Sequence, residues 1–290
     1  MKRFLAAVLL ILLMVPGLSK AENAQPMRIL LLGTDRLGYY VVSDKEDMSR
    51  ADAIMVMTVD PETGGIRILS VERDYLVTLP EGVGKNKLST ATYFGGPQMC
   101  LDAVNSLFGL DLTRYMQIDM PRAVEAMDLL GGVDVEIYAD EVPIVNASPI
   151  IVPKVEAGIN HFNGKKALTF MRVRDMEIST VESNKARNSR QIRVIEAFLS
   201  KLSSSKGRDL INLASGIIPL VKTNMTIYDL LLLSQSVLSS GLDFGSLSYL
   251  RTPTGPYKTK RVNMHQVVVV DDMEAEISNV RAFLLYDERE

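Results

Sequence analysis

The fold class is decided by residues 27–36, Met-Arg-Ile-Leu-Leu-Leu-Gly-Thr-Asp-Arg. The short apolar run at its centre predicts a buried strand over Met27–Gly33. In α/β proteins, ligands bind at the carboxyl ends of such strands. Asp35 and Arg36, which follow directly, are therefore the first candidate site residues.

Two more apolar segments follow the same pattern. Arg50-Ala51-Asp52 precedes a predicted strand over Ala53–Val59, and Glu72-Arg73-Asp74 follows another over Ile66–Val71, with turn residues between the two. Each of the three strands thus has an Asp and an Arg at one end. An Asp alone is more typical of a cap or a turn, but the repeated pairing favours a site. Asp35 and Asp52 could share Mg²⁺, which takes one or two carboxylates plus phosphate oxygens.

Helical and strand patterns alternate along the rest of the chain, which predicts an α/β fold, or α+β, with a central mixed sheet flanked by helices. The predicted helices are Pro97–Phe108, Pro121–Leu130, Asn163–Met171, Asn188–Leu202, Asp209–Leu220, Thr226–Ser239 and Asp271–Leu285. The later predicted strands are Tyr115–Asp119, Val133–Tyr138, Leu247–Thr252 and Val267–Val270. Residues 85–96, 141–158, 176–185 and 255–261 are predicted as loops, and the second of these as a lid.

Five arginines lie close together after an apolar lead-in: Arg172, Arg174, Arg187, Arg190 and Arg193. Arginine beside a buried element is costly unless an anion meets it, and its planar fork suits phosphate. This stretch alone leaves two interpretations open, a phosphate site or a surface helix with solvated arginines.

The overall charge argues against nucleic acid as a partner. The chain has 32 Lys and Arg against 35 Asp and Glu, so its net charge is -3. Nucleic-acid binding usually needs a basic field. The two histidines have no metal-ligand spacing, and the single cysteine, Cys100, is expected to be a small core residue of a helix.

Residues 1–21 have the pattern of an export signal. Lys2 and Arg3 precede an apolar run over 4–15, and Ser19-Lys20-Ala21 places small residues where a signal peptidase cleaves. The run is short for a membrane span, which needs about 20 residues. We therefore expect a signal peptide or a short N-terminal membrane anchor, followed by a single domain over 27–286.

Several motifs occur in an order that resembles the LytR–CpsA–Psr family of bacterial cell-envelope proteins. They cover about residues 28 to 202 and are Ile29–Arg36, Arg50–Asp52, Leu69–Asp74, Lys87–Ala91, Leu129–Val135, Asn163–Leu168, Arg172–Arg174 and Arg187–Gln191.

The resemblance implies a transferase that moves a glycopolymer from a polyprenyl diphosphate carrier to peptidoglycan or another envelope acceptor, at the outer face of the cytoplasmic membrane or in the cell wall. It also implies an apolar groove for the lipid. By motif position, Asp35 and Asp52 would hold Mg²⁺, and Asp52, Asp74 and Arg73 would be catalytic, with either Asp as a candidate base. The implied diphosphate ligands are Arg36, Arg50, Arg73, Lys87, Arg172, Arg174, Arg187, Arg190 and Gln191.

The chain departs from the family pattern at three positions. Ser89 and Asn184 stand where the family usually has Asn and Asp, and Glu72 stands where it has Pro. These departures keep two alternatives open, a module that binds polyprenyl phosphate without turnover and a polyprenyl diphosphate hydrolase. A transcriptional attenuator is disfavoured by the export signal and the acidic charge.

Overall fold

The computed structural model describes residues 26–35, 49–60, 65–174, 180–205, 207–230, 232–233, 247–262 and 265–285. The predicted export signal and Arg36 lie outside these ranges. The chain divides into two compact units. The sheet unit takes its described residues from 26–119 and 221–285, and the inserted unit takes its described residues from 120–220.

The sheet unit is built on a six-stranded sheet of order β10-β3-β2-β1-β6-β9. These strands are β1 (Met27–Thr34), β2 (Ala51–Val59), β3 (Ile66–Ser70), β6 (Arg114–Asp119), β9 (Lys222–Thr223) and β10 (Ser248–Arg251). β1 pairs in parallel with β6 and antiparallel with β2, and β3 pairs in parallel with β10. The sheet is therefore mixed, as predicted.

The sheet unit also contains two hairpins and two long helices. The hairpins are β4 (Leu76–Leu79) with β5 (Gly84–Lys87), and β11 (Tyr257–Val262) with β12 (His265–Val270). Helix α1 (Ala91–Phe108) and the last helix, α7 (Met273–Leu284), contribute to one core, in which Tyr75 and Phe108 meet edge to face. Cys100 is fully buried in this core, which confirms its predicted role.

The inserted unit has a core of its own. It contains α2 (Met120–Leu129), β7 (Val133–Ile137), α3 (Val142–Asn146), β8 (Gly158–Phe162), α4 (Gly164–Arg172), α5 (Thr180–Ser204) and α6 (Gly207–Ile217). β7 and β8 form an antiparallel hairpin, and alternate residues of β7 are buried. Gly164 permits close packing of α4 on α2, since a Cβ there would lie 2.2 Å from the carbonyl oxygen of Val124. Within the described ranges, no helix is both long and apolar enough to cross a membrane.

Four loop predictions were wrong in part. Residues 84–87 and 257–262 are strands, Val142–Asn146 is a short helix inside the predicted lid, and α5 begins at Thr180. The cap of α7 is Asp272, whose carboxylate accepts the N–H of Ala275 at 3.0 Å. Thr226 and Asp229 form a reciprocal capping box. The Thr226 hydroxyl accepts the N–H of Asp229, and the Asp229 carboxylate accepts the N–H of Thr226.

Candidate functional site

A β-bulge sets Asp52 apart from its neighbours. Gly33 on β1 pairs with Ala53 and Thr34 pairs with Ala51, so Asp52 is the extra residue on β2. Bulges re-aim a side chain and are frequent beside active sites. Asp35 follows β1 at the same end of this strand pair. Its Oδ1 accepts the backbone N–H of Arg50 at 2.8 Å, which fixes the carboxylate against the start of β2.

Two ion pairs involve the segment that follows β3. The Arg73 guanidinium forms an ion pair with Asp52, and the Lys87 ammonium forms one with Asp74 at 2.8 Å. All four side chains are partly exposed. The backbone N–H of Ser89 donates to the Arg73 carbonyl at 2.9 Å, which joins this segment to the residues after β5. We call Asp35, Asp52, Arg73, Asp74 and Lys87 the carboxylate cluster.

The donor set of this cluster fits a hard divalent cation. Asp35 and Asp52 offer carboxylate oxygens at one end of the β1–β2 pair, and oxygen is the ligand type that Mg²⁺ prefers. In the described part of the chain, no group of three or more His, Cys, Asp or Glu side chains forms a metal cage. Mg²⁺ is usually bound by one or two carboxylates together with phosphate oxygens of the substrate. Asp35 and Asp52 would supply that number of carboxylates.

A buried polar network lies behind Arg73 and Asp74. Glu72 accepts from Arg251 at 2.9 Å, and Glu276 accepts from the Tyr75 hydroxyl at 3.1 Å and from the Thr254 hydroxyl at 2.6 Å. Burial raises the pKa of Tyr75 well above its ordinary value, so this phenol stays protonated and donates. These contacts of Glu72 and Tyr75 hold the segment after β3, in which Arg73 and Asp74 lie.

The arginines of the inserted unit fall into two groups. Arg172 ends α4 and Arg174 follows two residues later, and both side chains are exposed. Arg187, Arg190 and Arg193 lie on α5 and are buried. The surface-helix interpretation therefore fails for the second group, because their guanidinium groups are withdrawn from water.

A buried carboxylate, Glu141, meets two of these arginines. It accepts from Nε of Arg190 at 2.8 Å and from Nη2 of Arg193 at 2.7 Å. The Arg193 guanidinium also lies over the rings of Tyr138 and Phe170, at 4.3 and 5.2 Å from their centroids. We call Glu141, Arg190 and Arg193 the buried triad.

The triad also reaches the exposed arginines through the backbone. Nη1 of Arg190 donates to the carbonyl of Val173 at 3.1 Å, and Val173 lies between Arg172 and Arg174. Two nitrogens of Arg190 are thus already engaged by protein oxygens. The diphosphate contact of Arg190 stays a prediction, as do those of Arg187, which is buried, Gln191, which is half-buried, and Arg50, which is exposed.

Sequence reasoning missed Glu141 and the partner of Glu72. A signal for the first was available. Arg190 and Arg193 are three residues apart and therefore lie on the same side of one helix, next to the apolar residues Ile192 and Val194. Arginines beside a buried face require an acidic partner. Nothing local could identify Arg251 as the partner of Glu72, since 179 residues separate them.

Comparison with known proteins decides the family. The model of the LytR_cpsA_psr family matches residues 14–276. The chain belongs to this family. The match confirms the resemblance predicted from the motifs.

Curated relatives in the LytR_cpsA_psr family are similar in sequence over part of their length. Biofilm regulatory protein A of Streptococcus mutans is 30% identical over 69% of this chain and 50% of its own length. The polyisoprenyl-teichoic acid–peptidoglycan teichoic acid transferase TagU of Bacillus anthracis is 30% identical over 71% of this chain and 63% of its own. The chain thus spans about half to under two thirds of these relatives.

A solved structure of the same family confirms the fold. The crystal structure of TagV from B. subtilis superposes with a TM-score of 0.71, covering 91% of this chain and 98% of that one, at 23% identity. The α/β fold with a central mixed sheet is therefore that of its structural neighbours. The apolar groove stays a prediction.

Two departures from the LytR_cpsA_psr pattern have a structural account. Glu72 replaces a proline, but its negative charge is met by Arg251, and its Oε1 accepts the N–H of Asp74. Ser89 is buried and contributes its backbone N–H to Arg73. The side chain of Asn184 lies outside the described residues. Both described residues thus contact the segment that contains Arg73 and Asp74.

Proposed function

We propose that this protein transfers a glycopolymer from a polyprenyl diphosphate carrier to peptidoglycan or another envelope acceptor, outside the cytoplasm. The observation that carries the proposal is the carboxylate cluster, in which three aspartates and two cations lie at or next to the ends of strands. Family membership and the teichoic acid transferase activity for which TagU is named support the choice of substrate class.

The proposed step is a displacement at phosphorus. The oxygen of an acceptor hydroxyl bonds to the phosphorus that carries the polymer, while the bond from that phosphorus to the bridging oxygen breaks. The electron pair of the broken bond leaves with polyprenyl monophosphate, and the hydroxyl proton passes to a base. Asp52 and Asp74 are the candidate bases in the cluster.

This chain's own residues would bind and orient the diphosphate. Arg73 and Lys87 would place positive charge beside its oxygens, and preorganised charge of this kind is what phosphoryl transfer asks of a protein. Asp35 and Asp52 would hold Mg²⁺, which when bound neutralises negative charge on diphosphate oxygens. Arg172 and Arg174 are proposed as further phosphate ligands, because they are exposed and fork-shaped.

The test is a transfer assay with the purified protein, Mg²⁺, a polyprenyl diphosphate oligosaccharide and peptidoglycan fragments, read by mass spectrometry. We expect peptidoglycan that has gained the mass of the oligosaccharide phosphate. The Asp52→Asn variant should not form this product. The matched control, Asp102→Asn at an exposed helical residue, should still form it.

The same assay separates the alternatives. Release of oligosaccharide phosphate with equal yield in the absence of peptidoglycan would identify a hydrolase. If the wild type and the Asp52→Asn variant both bind the lipid and leave it intact, the protein is a binding module.

A further inference from the structure

Glu72 and Arg251 form a largely buried ion pair next to the carboxylate cluster. Nη2 of Arg251 donates to Oε2 of Glu72 at 2.9 Å, and the side chains of Arg251 and Glu72 are only 15% and 6% exposed. Arg251 ends β10, where it lies opposite Ser70 of β3, two residues before Glu72. Since Glu72 stands where the LytR_cpsA_psr family usually has a proline, the family pattern does not account for this pair.

A β-turn places Arg73 and Asp74. The N–H of Tyr75 donates to the carbonyl of Glu72 at 3.3 Å, so Glu72 begins the turn, and Arg73 and Asp74 are its two central residues. Oε1 of Glu72 also accepts the N–H of Asp74 at 3.4 Å. Side chains that accept the N–H two residues further on are a common means of fixing a turn, best known for Asp and Asn. The turn therefore uses the side chain of Glu72 as well as its backbone.

The two oxygens of the Glu72 carboxylate have different partners. Oε2 meets the charge of Arg251, which allows the carboxylate to be buried, and Oε1 meets the backbone of a cluster residue, Asp74. The backbone N–H of Glu72 donates to the hydroxyl of the fully buried Thr252 at 3.3 Å. Glu72 is thus held through its side chain and its backbone by two consecutive residues, Arg251 and Thr252.

We infer that Glu72 is a positioning residue of the proposed reaction, and that Arg251 neutralises its buried charge. The inference rests on the proposed function, in which Arg73 binds the diphosphate and Asp74 is a candidate base. Because Glu72 is buried, it acts through the turn, which presents Arg73 to Asp52 and Asp74 to Lys87. A proline at this position would restrict the chain through its own φ, whereas here a hydrogen bond to Asp74 does so.

A purely structural use of the pair would also account for its burial, because a buried Glu needs a cation. Two double variants separate the two uses. Glu72→Gln with Arg251→Met, and Glu72→Leu with Arg251→Met, both remove the ion pair and leave no unpaired charge, and Gln and Leu are similar in size. Only Gln retains an oxygen that can accept the N–H of Asp74. We call these proteins the glutamine variant and the leucine variant.

The first readout is the amide hydrogen exchange of Asp74, measured by NMR on the whole chain. Loss of one hydrogen bond of ordinary strength corresponds to about tenfold, so Asp74 should exchange about tenfold faster in the leucine variant than in the glutamine variant. The N–H of Val71, which donates to the carbonyl of Ile54 at 2.8 Å, is the internal reference and should exchange equally in both variants.

The second readout is kcat in the transfer assay, measured below the thermal midpoints of both variants. Displacement of a reacting group by about 1 Å can slow a reaction about a hundredfold, so kcat of the leucine variant should be at least about tenfold below that of the glutamine variant. The two thermal midpoints should differ by less than about 4 °C, because the N–H of Asp74 lies in a partly exposed turn and can bond to water instead.

Equal exchange of Asp74 in the two variants would overturn the inference, and so would equal values of kcat, because the acceptor oxygen would then have no effect. A leucine variant that loses kcat only together with its fold would assign the pair to stability alone. If the wild type shows no transfer while the exchange of Asp74 still differs between the variants, the positioning of the turn by Glu72 is supported and only the proposed function fails.

Discussion

Replacing Glu141 by Gln tests the buried triad most directly. The change keeps the size of the side chain but removes the charge between Arg190 and Arg193, whose side chains are only 3% and 9% exposed. The two guanidinium groups then lose the carboxylate that both of them contact. Removal of one partner of a buried ion pair typically costs about 3–5 kcal/mol.

The expected loss is large enough to measure by thermal unfolding. For a protein of this size, about 1 kcal/mol corresponds to roughly 2–4 °C, so the midpoint should fall by about 6–20 °C. The matched control is Glu136→Gln. The side chain of Glu136 is exposed, and its backbone carbonyl, which the mutation keeps, accepts a hydrogen bond from Nη1 of Arg193 at 2.6 Å. The free energy of unfolding of this control should change by less than about 0.5 kcal/mol.

A functional readout should accompany the stability measurement. Arg190 holds the Val173 carbonyl between two exposed arginines, so a loosened triad should weaken binding of a polyprenyl diphosphate even well below the midpoint temperature. If Glu141→Gln and Glu136→Gln unfold at the same temperature, the triad does not stabilise the inserted unit and the reasoning fails.

Four other predictions follow from single residues. Arg174→Lys keeps the charge but loses the fork, so diphosphate affinity should fall about ten- to a hundredfold, whereas Arg122→Lys should leave it unchanged in the same titration. Asp52→Ala should abolish the Mg²⁺ dependence of diphosphate binding in calorimetry; a preserved dependence would exclude the residue as a ligand. Hydrogen bonds from Thr226 and Arg114 outweigh burial and hold the pKa of Asp229 below its ordinary value of 3.8. The stabilisation by the Asp229 carboxylate is therefore present above that pH and is lost as the pH falls through the folded-state pKa. Asp229→Asn should lower the unfolding midpoint at pH 7 and reduce the further decrease of the midpoint in acid. Burial raises the pKa of the Cys100 thiol to about 12, so iodoacetamide should label it only in denaturant, and rapid labelling of the native protein would contradict the packing.

The first three strands could be predicted from sequence because their apolar runs are long and clearly bounded. β1, β2 and β3 begin or end within two residues of the predicted positions. Their Asp and Arg residues were found with them, since strand ends are where ligands bind. The strand ends therefore indicated the fold class and the aspartates of the carboxylate cluster with Arg73, whereas Lys87 was predicted only from the family resemblance.

Two of the strands that were not predicted, β5 and β11, have sequences without a hydrophobic pattern. β5 is Gly-Lys-Asn-Lys, and β11 is Tyr-Lys-Thr-Lys-Arg-Val with four consecutive exposed residues. Each is a strand because it pairs with a more apolar partner, β4 or β12. Pairing between segments, unlike periodicity within one, leaves no local signal.

The partners of buried charges were missed for a related reason. Glu141 and Arg190 are 49 residues apart, and Glu72 and Arg251 are further apart still. A sequence shows that a buried arginine needs an acid, but only packing shows which one.

The position of β10 and β12 in the sequence has a consequence for how the chain folds during synthesis. β10 supplies an outer neighbour for β3, β12 holds the carbonyl of Asp74, and both come from the far end of the chain. Contacts between segments so distant in sequence require the closure of a long loop, which slows folding. A nascent chain that ends before Ser248 would contain every residue of the carboxylate cluster and still lack the contacts that orient Arg73 and Asp74. The segment that carries Arg73 and Asp74 therefore gains these contacts only after synthesis has passed Val268.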